Sequence, residues 1–311
     1  MDARKVAVIG AGIMGSGIAL ACSKGGFEVN IWDSDALATR KALSTIRSTL
    51  DRLVSSDLLS VKDSTLSFER IVSAHQMSQA VENAKVIFEA VPENIDLKKQ
   101  VFKKLNVMCG NEAILASNTS SFKIAHIATG TKTPHRVIGT HWNNPPYLMP
   151  LVEVVRGPKT SDQTVKFIRD FLVTIGKRPV LCKDTAGFLV NRLHSALLVE
   201  AISMVENGIT SMEDIDLAMT HHLGPRYCVV GSFQLMDSFG LDTELAQYSY
   251  LRKMTNSDKF KPPRLLRNKV RNHELGLKTG KGFYDYSGKN IQAIIHDRDE
   301  RLIKILRFLR I

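Results

Sequence analysis

The sequence predicts a doubly wound, mostly parallel α/β sheet over residues 1–184, followed by an all-α half over residues 185–311. Three observations carry this prediction. A short apolar strand runs into a glycine turn and a helix at Val6-Ala7-Val8-Ile9-Gly10-Ala11-Gly12-Ile13-Met14-Gly15. Apolar strand-like runs then alternate with helical patterns as far as Cys182, the order of a parallel sheet with helical crossovers. After Lys183-Asp184 only helical patterns remain, joined by Gly and Pro turns. With 311 residues, 44% hydrophobic and 23% charged, the chain has room for two domains and a sizeable core.

The glycine turn comes first in the chain and is the most informative stretch. Gly10 lets the chain turn, Gly12 lets a ligand approach the backbone, and Gly15 lets the helix pack on the strand. The free N–H groups at the start of that helix suit a pyrophosphate. A second strand, Glu28-Val29-Asn30-Ile31-Trp32, ends in Asp33, 18 residues past Gly15. A carboxylate there accepts hydrogen bonds from the adenosine ribose and repels a 2′-phosphate, so the expected cofactor is NAD. A glycine turn in an α/β domain that binds no dinucleotide is the alternative reading.

Residues 35–59 form a helical pattern without Pro or Gly, and helical fragments follow around 65–72 and 78–83. Lys85-Val86-Ile87-Phe88-Glu89-Ala90-Val91 is an almost continuous apolar run, as expected of a strand buried on both faces. Pro92-Glu93-Asn94 turns it into a helix over 95–108. The strand Ala113-Ile114-Leu115-Ala116-Ser117 ends in the polar cluster Asn118-Thr119-Ser120-Ser121, at the sheet edge where doubly wound folds bind ligands. Arg136-Val137-Ile138-Gly139-Thr140 leads into His141-Trp142-Asn143-Asn144-Pro145-Pro146, whose two prolines stop a regular ladder. Leu151-Val152-Glu153-Val154-Val155 follows, then a helix over about 162–175, the strand Pro179-Val180-Leu181-Cys182, and a long apolar helix over 186–207.

The composition excludes several classes. No apolar run approaches the roughly 18–20 residues of a membrane span. The chain enters its first strand within five residues, leaving no space for a leader, and Phe308-Leu309-Arg310-Ile311 matches no retention or peroxisomal signal. Cys22, Cys109, Cys182 and Cys228 are far apart and read as free thiols, so the expected location is the cytoplasm. The net charge of +11 is concentrated in residues 251–311, with 16 Lys and Arg against 6 Asp and Glu. Such a segment attracts anions or simply solvates a face, and no nucleic-acid motif accompanies it. The adjacent His221-His222 point different ways on a helix and have no thiol or acidic ligand at metal spacing, so no metal is expected.

Several separate stretches resemble the 3-hydroxyacyl-CoA dehydrogenases of fatty acid metabolism. They are the glycine turn, Pro92-Glu93-Asn94, Asn118-Thr119-Ser120-Ser121, His141 with Asn144-Pro145-Pro146, and Pro150-Leu151-Val152-Glu153-Val154. Further along come Lys183-Asp184-Thr185-Ala186-Gly187-Phe188 with Asn191-Arg192, and Lys278-Thr279-Gly280-Lys281-Gly282-Phe283-Tyr284. The resemblance covers about residues 4–286 and implies a Rossmann-type domain that serves a nicotinamide-dependent oxidation of a 3-hydroxyacyl thioester, 3-hydroxybutyryl-CoA being the short-chain case. It implies His141 as general base, Glu153 as its partner, and Ser120, Asn144 and Asn191 around the reacting oxygen and the imidazole. For the cofactor it implies Asp33, Glu93, Lys98, Asn118 and Ser120, with Gly10, Gly12, Ile13, Met14 and Gly15 in the turn and Ala90 and Val91 at the end of the strand 85–91. It further implies a homodimer formed through the all-α half, and a small molecule rather than nucleic acid or membrane as partner.

Residue chemistry supports those roles independently. Oxidising an alcohol requires a base for the hydroxyl proton, and an imidazole titrating near neutrality suits it. A carboxylate on the far ring nitrogen fixes the tautomer and stabilises the imidazolium. His141 and Glu153 are 12 residues apart on consecutive strand-like segments, and a carboxylate inside an apolar run is expensive to bury alone. From residues alone, a structural histidine and an edge-strand carboxylate stay open. Asn191 reads as a helix-interior asparagine, a poor place unless the amide has a task, one alternative being a bond across the domain seam. Ser120 also reads as a helix N-cap.

Two departures bear on the substrate. Gly231-Ser232-Phe233-Gln234-Leu235 stands where the family carries Gly-Pro-Phe-Glu-Leu, and Arg226 precedes it in Gly224-Pro225-Arg226-Tyr227. An arginine there is similar to relatives acting on free hydroxy acids, the gulonate dehydrogenases related to λ-crystallin and carnitine dehydrogenase. It would hold a substrate carboxylate, unless it caps a helix or faces a dimer partner. A non-catalytic, crystallin-like relative is the alternative from another class. The other departure is the tail. Its apolar residues 291, 294, 295, 302, 305, 306 and 309 make one helical stripe broken at Arg298, which fits packing on the all-α half or across a dimer interface.

Overall fold

The computed structural model describes residues 5–110 and 112–310. Met1–Arg4 and Ile311, on which the reading of the chain ends rests, lie outside the described residues, as does Asn111. The described chain falls into two compact units that divide at residues 197 and 198.

The first unit is built on eight strands: β1 Lys5–Ile9, β2 Glu28–Trp32, β3 Ile71–Ser73, β4 Val86–Glu89, β5 Ile114–Ser117, β6 Val137–Trp142, β7 Leu151–Arg156 and β8 Arg178–Lys183. Their order in the sheet is β3-β2-β1-β4-β5-β6-β7-β8, parallel throughout except for the antiparallel pair β6–β7. Helices α1 Ile13–Lys24, α2 Ala36–Ser55, α3 Val61–Glu69, α4 Met77–Val81, α5 Ile95–Met108, α6 Ile124–Ala128 and α7 Asp162–Thr174 provide the connections, and α8 Val190–Glu206 leads out of the unit.

The strands are apolar on both sides because both faces are covered. Val6, Val8, Val29, Ile31, Phe88, Val152 and Val154 face Ile18, Leu20, Ile46, Leu50, Ile168 and Phe171 of α1, α2 and α7. Their neighbours Ala7, Ile9, Ile87, Leu115 and Val155 face Ala80, Val101, Phe102, Leu105, Ile124 and Ile127 of α4, α5 and α6. Strand order reverses between β1 and β4, and a ligand crevice forms outside the carboxyl ends of the strands at such a switch point. The chain leaves β1 at Gly10 and β4 at Ala90, and the two turns touch: a Cβ on Gly10 would lie 2.5 Å from Ala90 O.

Two local differences from the sequence pattern have plain causes. Residues 65–72, read as a helical fragment, divide into the end of α3 and the three-residue β3, which pairs with β2 at the sheet edge. Three residues are too few to show a strand period. Asn191 is the second residue of α8 rather than interior to a helix, because Gly187 and Phe188 both take positive φ and delay the helix to Val190.

The second unit is helical: α9 Met212–Ala218, α10 Gly224–Tyr227, α11 Ser232–Phe239, α12 Leu241–Thr255, α13 Arg264–Arg271 and the tail helix α14 Ile291–Leu309. Its organising residue is the buried Asp237, whose carboxylate accepts from the N–H groups of Phe283 and Tyr284 and from the Tyr286 hydroxyl. A Cβ on Gly282 would overlap that carboxylate. Lys278 pairs with Asp242. The stretch 278–284 is therefore a folded turn held by Asp237 and Asp242. None of the residues of α14 is buried, and Phe308 is 83% exposed. No described helix is long and apolar enough to cross a membrane.

Candidate active site

The glycine turn opens a cleft of about 590 Å³ lined by Gly12, Ile13, Met14, Asp33, Ala90, Val91, Glu93, Asn118, Ser120, His141 and Asn144. Around the turn, a Cβ on Gly15 would overlap Gly10 O, whereas a Cβ on Gly12 meets nothing within 4 Å. The strand–helix contact thus needs glycine at 15, and the open space before Gly12 is where a pyrophosphate would sit against the first N–H groups of α1. Asp33 faces the same space. Its Oδ2 accepts from Ala11 N at 2.7 Å and its Oδ1 from Asp35 N at 3.0 Å, which fixes the carboxylate at the end of β2. This cradle fits a dinucleotide.

The polar segment after β5 is organised by Glu93. Its Oε1 accepts from Thr119 Oγ1 at 2.7 Å, Ser121 Oγ at 2.9 Å, and the N–H groups of Ser120 and Ser121, both at 3.1 Å. Burial alone would push its carboxyl up, but Thr119, Lys98 and Ser121 outweigh burial and hold it below the usual range. Ser120 is therefore not a helix N-cap; Lys123 holds that position before α6.

Lys98 lies deeper than its expected role suggests. The side chain is buried, with Nζ 2.7 Å from Glu89 Oε1, 3.2 Å from Val91 O and 3.3 Å from Glu93 Oε2. Its charge is engaged beneath the cleft, so it shapes the cleft through Glu93. Glu89, which the sequence reading passed over, is fully buried and also accepts from Val91 N and Ser117 Oγ. The signal was present, since Glu89 interrupts an apolar run just as Glu153 does. Asn118 Oδ1 accepts from Trp142 N at 3.0 Å and ties the ends of β5 and β6 together.

His141 and Glu153 stand directly opposite each other in the antiparallel β6–β7 register. Both are buried, and Nδ1 lies 2.6 Å from Glu153 Oε2. The other oxygen, Oε1, accepts from Leu189 N at 2.7 Å, just before α8, and from Val190 N at 3.0 Å, its first residue. Burial would push Glu153 up; the hydrogen bonds from His141, Val190 and Leu189 prevail and hold it below the usual carboxylate range. An ionised Glu153 requires Nδ1 to carry the proton, which leaves Nε2 as the basic nitrogen. Asn191 Nδ2, one residue further along α8, donates to Ser120 O at 2.9 Å. Sequence gave no sign that Leu189 and Val190 serve the site, because they serve it through backbone N–H groups.

Ser120, His141, Asn144, Glu153 and Asn191 all belong to the first unit. Arg226 lies on α10 of the second, its guanidinium carbon 5.8 Å from the Phe239 ring centroid, with no carboxylate partner among the described residues. His221 and His222 occupy a π-helical turn over Met219–Leu223. Among the described residues no group of three His, Cys, Asp or Glu side chains could hold a metal ion.

Known proteins resemble this chain along nearly its whole length. Residues 5–185 match the family model described as 3-hydroxyacyl-CoA dehydrogenase, NAD binding domain, and residues 187–286 match 3-hydroxyacyl-CoA dehydrogenase, C-terminal domain. A 3-hydroxybutyryl-CoA dehydrogenase of Bradyrhizobium diazoefficiens is 36% identical, over 92% of this chain and 96% of its own. A 5-formyl-3-hydroxy-2-methylpyridine 4-carboxylate 5-dehydrogenase of Mesorhizobium japonicum is 34% identical over 98% of both chains. The crystal structure of a 3-hydroxyacyl-CoA dehydrogenase from Archaeoglobus fulgidus superposes with a TM-score of 0.82 at 37% identity, covering 98% of this chain and 99% of that one.

The low position of the Glu153 carboxyl has a measurable consequence. A carboxyl lowered in the folded state adds stability that is complete above its unfolded value, about 4.5, and is lost as pH falls through the folded value. Glu153→Gln should therefore be about 1.5–3 kcal/mol less stable at pH 7, the worth of hydrogen bonds to a charged group. Urea melts from pH 7 down to pH 3 should show the two proteins converging below about pH 4.5. A gap that stays constant over that range would refute the assignment.

Proposed function

The chain belongs to the 3-hydroxyacyl-CoA dehydrogenase family, and we propose that it oxidises a short 3-hydroxyacyl-CoA of the 3-hydroxybutyryl kind to the 3-ketoacyl-CoA. It is an NAD-dependent oxidoreductase. The observation that carries the reading is the buried His141–Glu153 pair, 2.6 Å apart, at the wall of the cleft that the glycine turn opens.

The proposed chemistry follows from these residues. Bound NAD supplies the hydride acceptor. His141 Nε2 takes the hydroxyl proton as the alcohol is oxidised, and Glu153 stabilises the imidazolium that results. Ser120 and Asn144 face the reacting oxygen, while Asn191 holds the Ser120 backbone in place through its amide. Asp33 reads the ribose, and Gly10, Gly12, Ile13, Met14 and Gly15 enclose the pyrophosphate. Ala90, Val91, Glu93 and Asn118 form the rest of the cofactor wall, with Lys98 beneath it.

A second cavity supports the thioester. It has about 450 Å³, lies between α1, α2 and residues 144–147, and carries Lys41 and Arg52 with Thr45, Thr49 and Tyr147. Asn144 and Pro145 border this cavity, and Asn144 borders the cofactor cleft as well. An acyl group at His141 with its handle in the basic cavity fits a substrate bearing phosphates.

Two observations favour a second reading, a free hydroxy acid. Among the described residues Arg226 has no carboxylate partner, and the Mesorhizobium relative, similar along nearly its whole length, has a pyridine carboxylate in its name. A homodimer is part of the proposal too. Only Ala201 of α8 is buried, Val199 of that helix is 67% exposed, and α14 buries none of its residues. Exposed apolar helix faces on this scale mark an association surface.

Three measurements test these statements. His141→Ala should lower kcat for acetoacetyl-CoA with NADH by about 10²–10⁴-fold at minimum, and Glu153→Gln by less, with NADH affinity nearly unchanged. A His141→Ala enzyme close to the wild-type rate sinks the mechanism. Arg226→Met should be mild for an acyl-CoA; if a free hydroxy acid is the substrate, it should raise KM by roughly 1.5–3 kcal/mol. Activity on gulonate or carnitine with none on acetoacetyl-CoA would select the second reading. A chain ending at Ser287 should dissociate or melt lower while its first unit still binds NAD. Unchanged Tm and sedimentation would show that the tail packs on nothing.

A further inference from the structure

Lys177, in the turn between α7 and β8, is 7% exposed. An ammonium at that depth is expensive unless it is well partnered, and among the described residues no carboxylate pairs with it. Burial, with Lys24 nearby, holds it below the ordinary lysine value. Its Nζ donates to two carbonyl oxygens, of Pro146 at 2.6 Å and of Met149 at 2.9 Å. It also lies 5.6 Å from the centroid of the Trp142 ring. All three contacts fall in the stretch that directly follows His141.

The same loop also packs on α1. A Cβ on Gly17 would lie 2.7 Å from Pro146 Cδ, so the proline ring rests directly on that helix. The loop thus touches both the helix of the glycine turn and one buried charge. Asn144, which borders both cavities, makes no side-chain hydrogen bond among the described residues, so only its backbone places it.

We propose that Lys177 is a positioning residue for the reaction: its ammonium fixes the loop 143–150 so that Asn144 meets the reacting oxygen. The proposal rests on the assignment of Asn144 and His141 given above. A methionine of similar length would fill the same volume without the desolvation of a charge. What the charge adds is a grip on two carbonyls that an apolar side chain leaves unpaired. His141 is held separately, by Glu153, so the two halves of the reaction geometry have independent supports.

The test uses the full-length enzyme, acetoacetyl-CoA and NADH or 4-deuterated NADH, with rates expressed per NADH-binding site. Lys177→Met should lower kcat per site by about tenfold or more, because a loop displaced by an ångström loses reactive alignment. NADH affinity should stay within about twofold, and the deuterium isotope effect should rise as hydride transfer becomes slower than release. A lysine that merely supports the fold would lower Tm and yield, and would leave kcat per site and the isotope effect alone. Folded Lys177→Met with wild-type kcat per site and isotope effect overturns the proposal. If Lys177→Met does not fold, Gly17→Ala decides, since a Cβ there meets the Pro146 ring and displaces the same loop. The same loss of kcat with a raised isotope effect supports the proposal, and wild-type kinetics overturn it. Failure of the underlying mechanism looks different: His141→Ala would then retain its rate in the same assay.

Discussion

Glu153 divides its carboxylate between two tasks. One oxygen faces His141 Nδ1, and the other accepts the N–H groups of Leu189 and Val190 where α8 begins. A buried carboxylate with a single partner drifts toward protonation, and a protonated Glu153 could no longer require the proton on Nδ1. The start of α8, with its unpaired N–H groups and positive end, supplies the balance. The nitrogen left basic on His141 is therefore set by where a helix begins, and Gly187 and Phe188 fix that beginning through their positive φ.

The same economy recurs under the cofactor cleft. Glu89 and Glu93 share the Lys98 ammonium; Glu89 Oε1 also accepts from Val91 N, and the two oxygens left over accept from Ser117 and the segment 119–121. Removing one member of such a set leaves an uncompensated charge, which is why buried ionic clusters tolerate single substitutions poorly. In exchange the cleft has a floor whose polar groups point in fixed directions before any ligand arrives. Asn118 and Asn191 extend the arrangement by tying β5 to β6 and α8 to Ser120.

Much of this was legible in the sequence, and the rest was hidden for definite reasons. The glycine turn and the apolar strands announce a two-sided sheet, because only strands covered on both faces can be apolar throughout. Two polar residues in consecutive apolar strands made the pairing of His141 with Glu153 plausible, and the family resemblance rather than the residues alone singled it out. The strand at 71–73 was invisible, being too short for any period. Lys98 could be recognised as part of the site but not placed, since a lysine reads the same above a cleft or below it. Lys177 gave no sign at all. Its partners are carbonyl oxygens, which every residue has, so nothing in the side chains around Pro146 and Met149 marks them as its acceptors.

Asp33 shows how one side chain can bind two design goals together. The carboxylate assigned to the ribose also accepts the N–H of Ala11, inside the glycine turn itself. Any attempt to convert this protein to the phosphorylated dinucleotide would begin by replacing that acid, and would release the turn at the same moment. The swap would have to return an acceptor to Ala11 from another position before it supplied a cation for the extra phosphate. On that assignment, cofactor preference is not a detachable surface feature. It is mortised into the backbone that makes the fold bind dinucleotides at all.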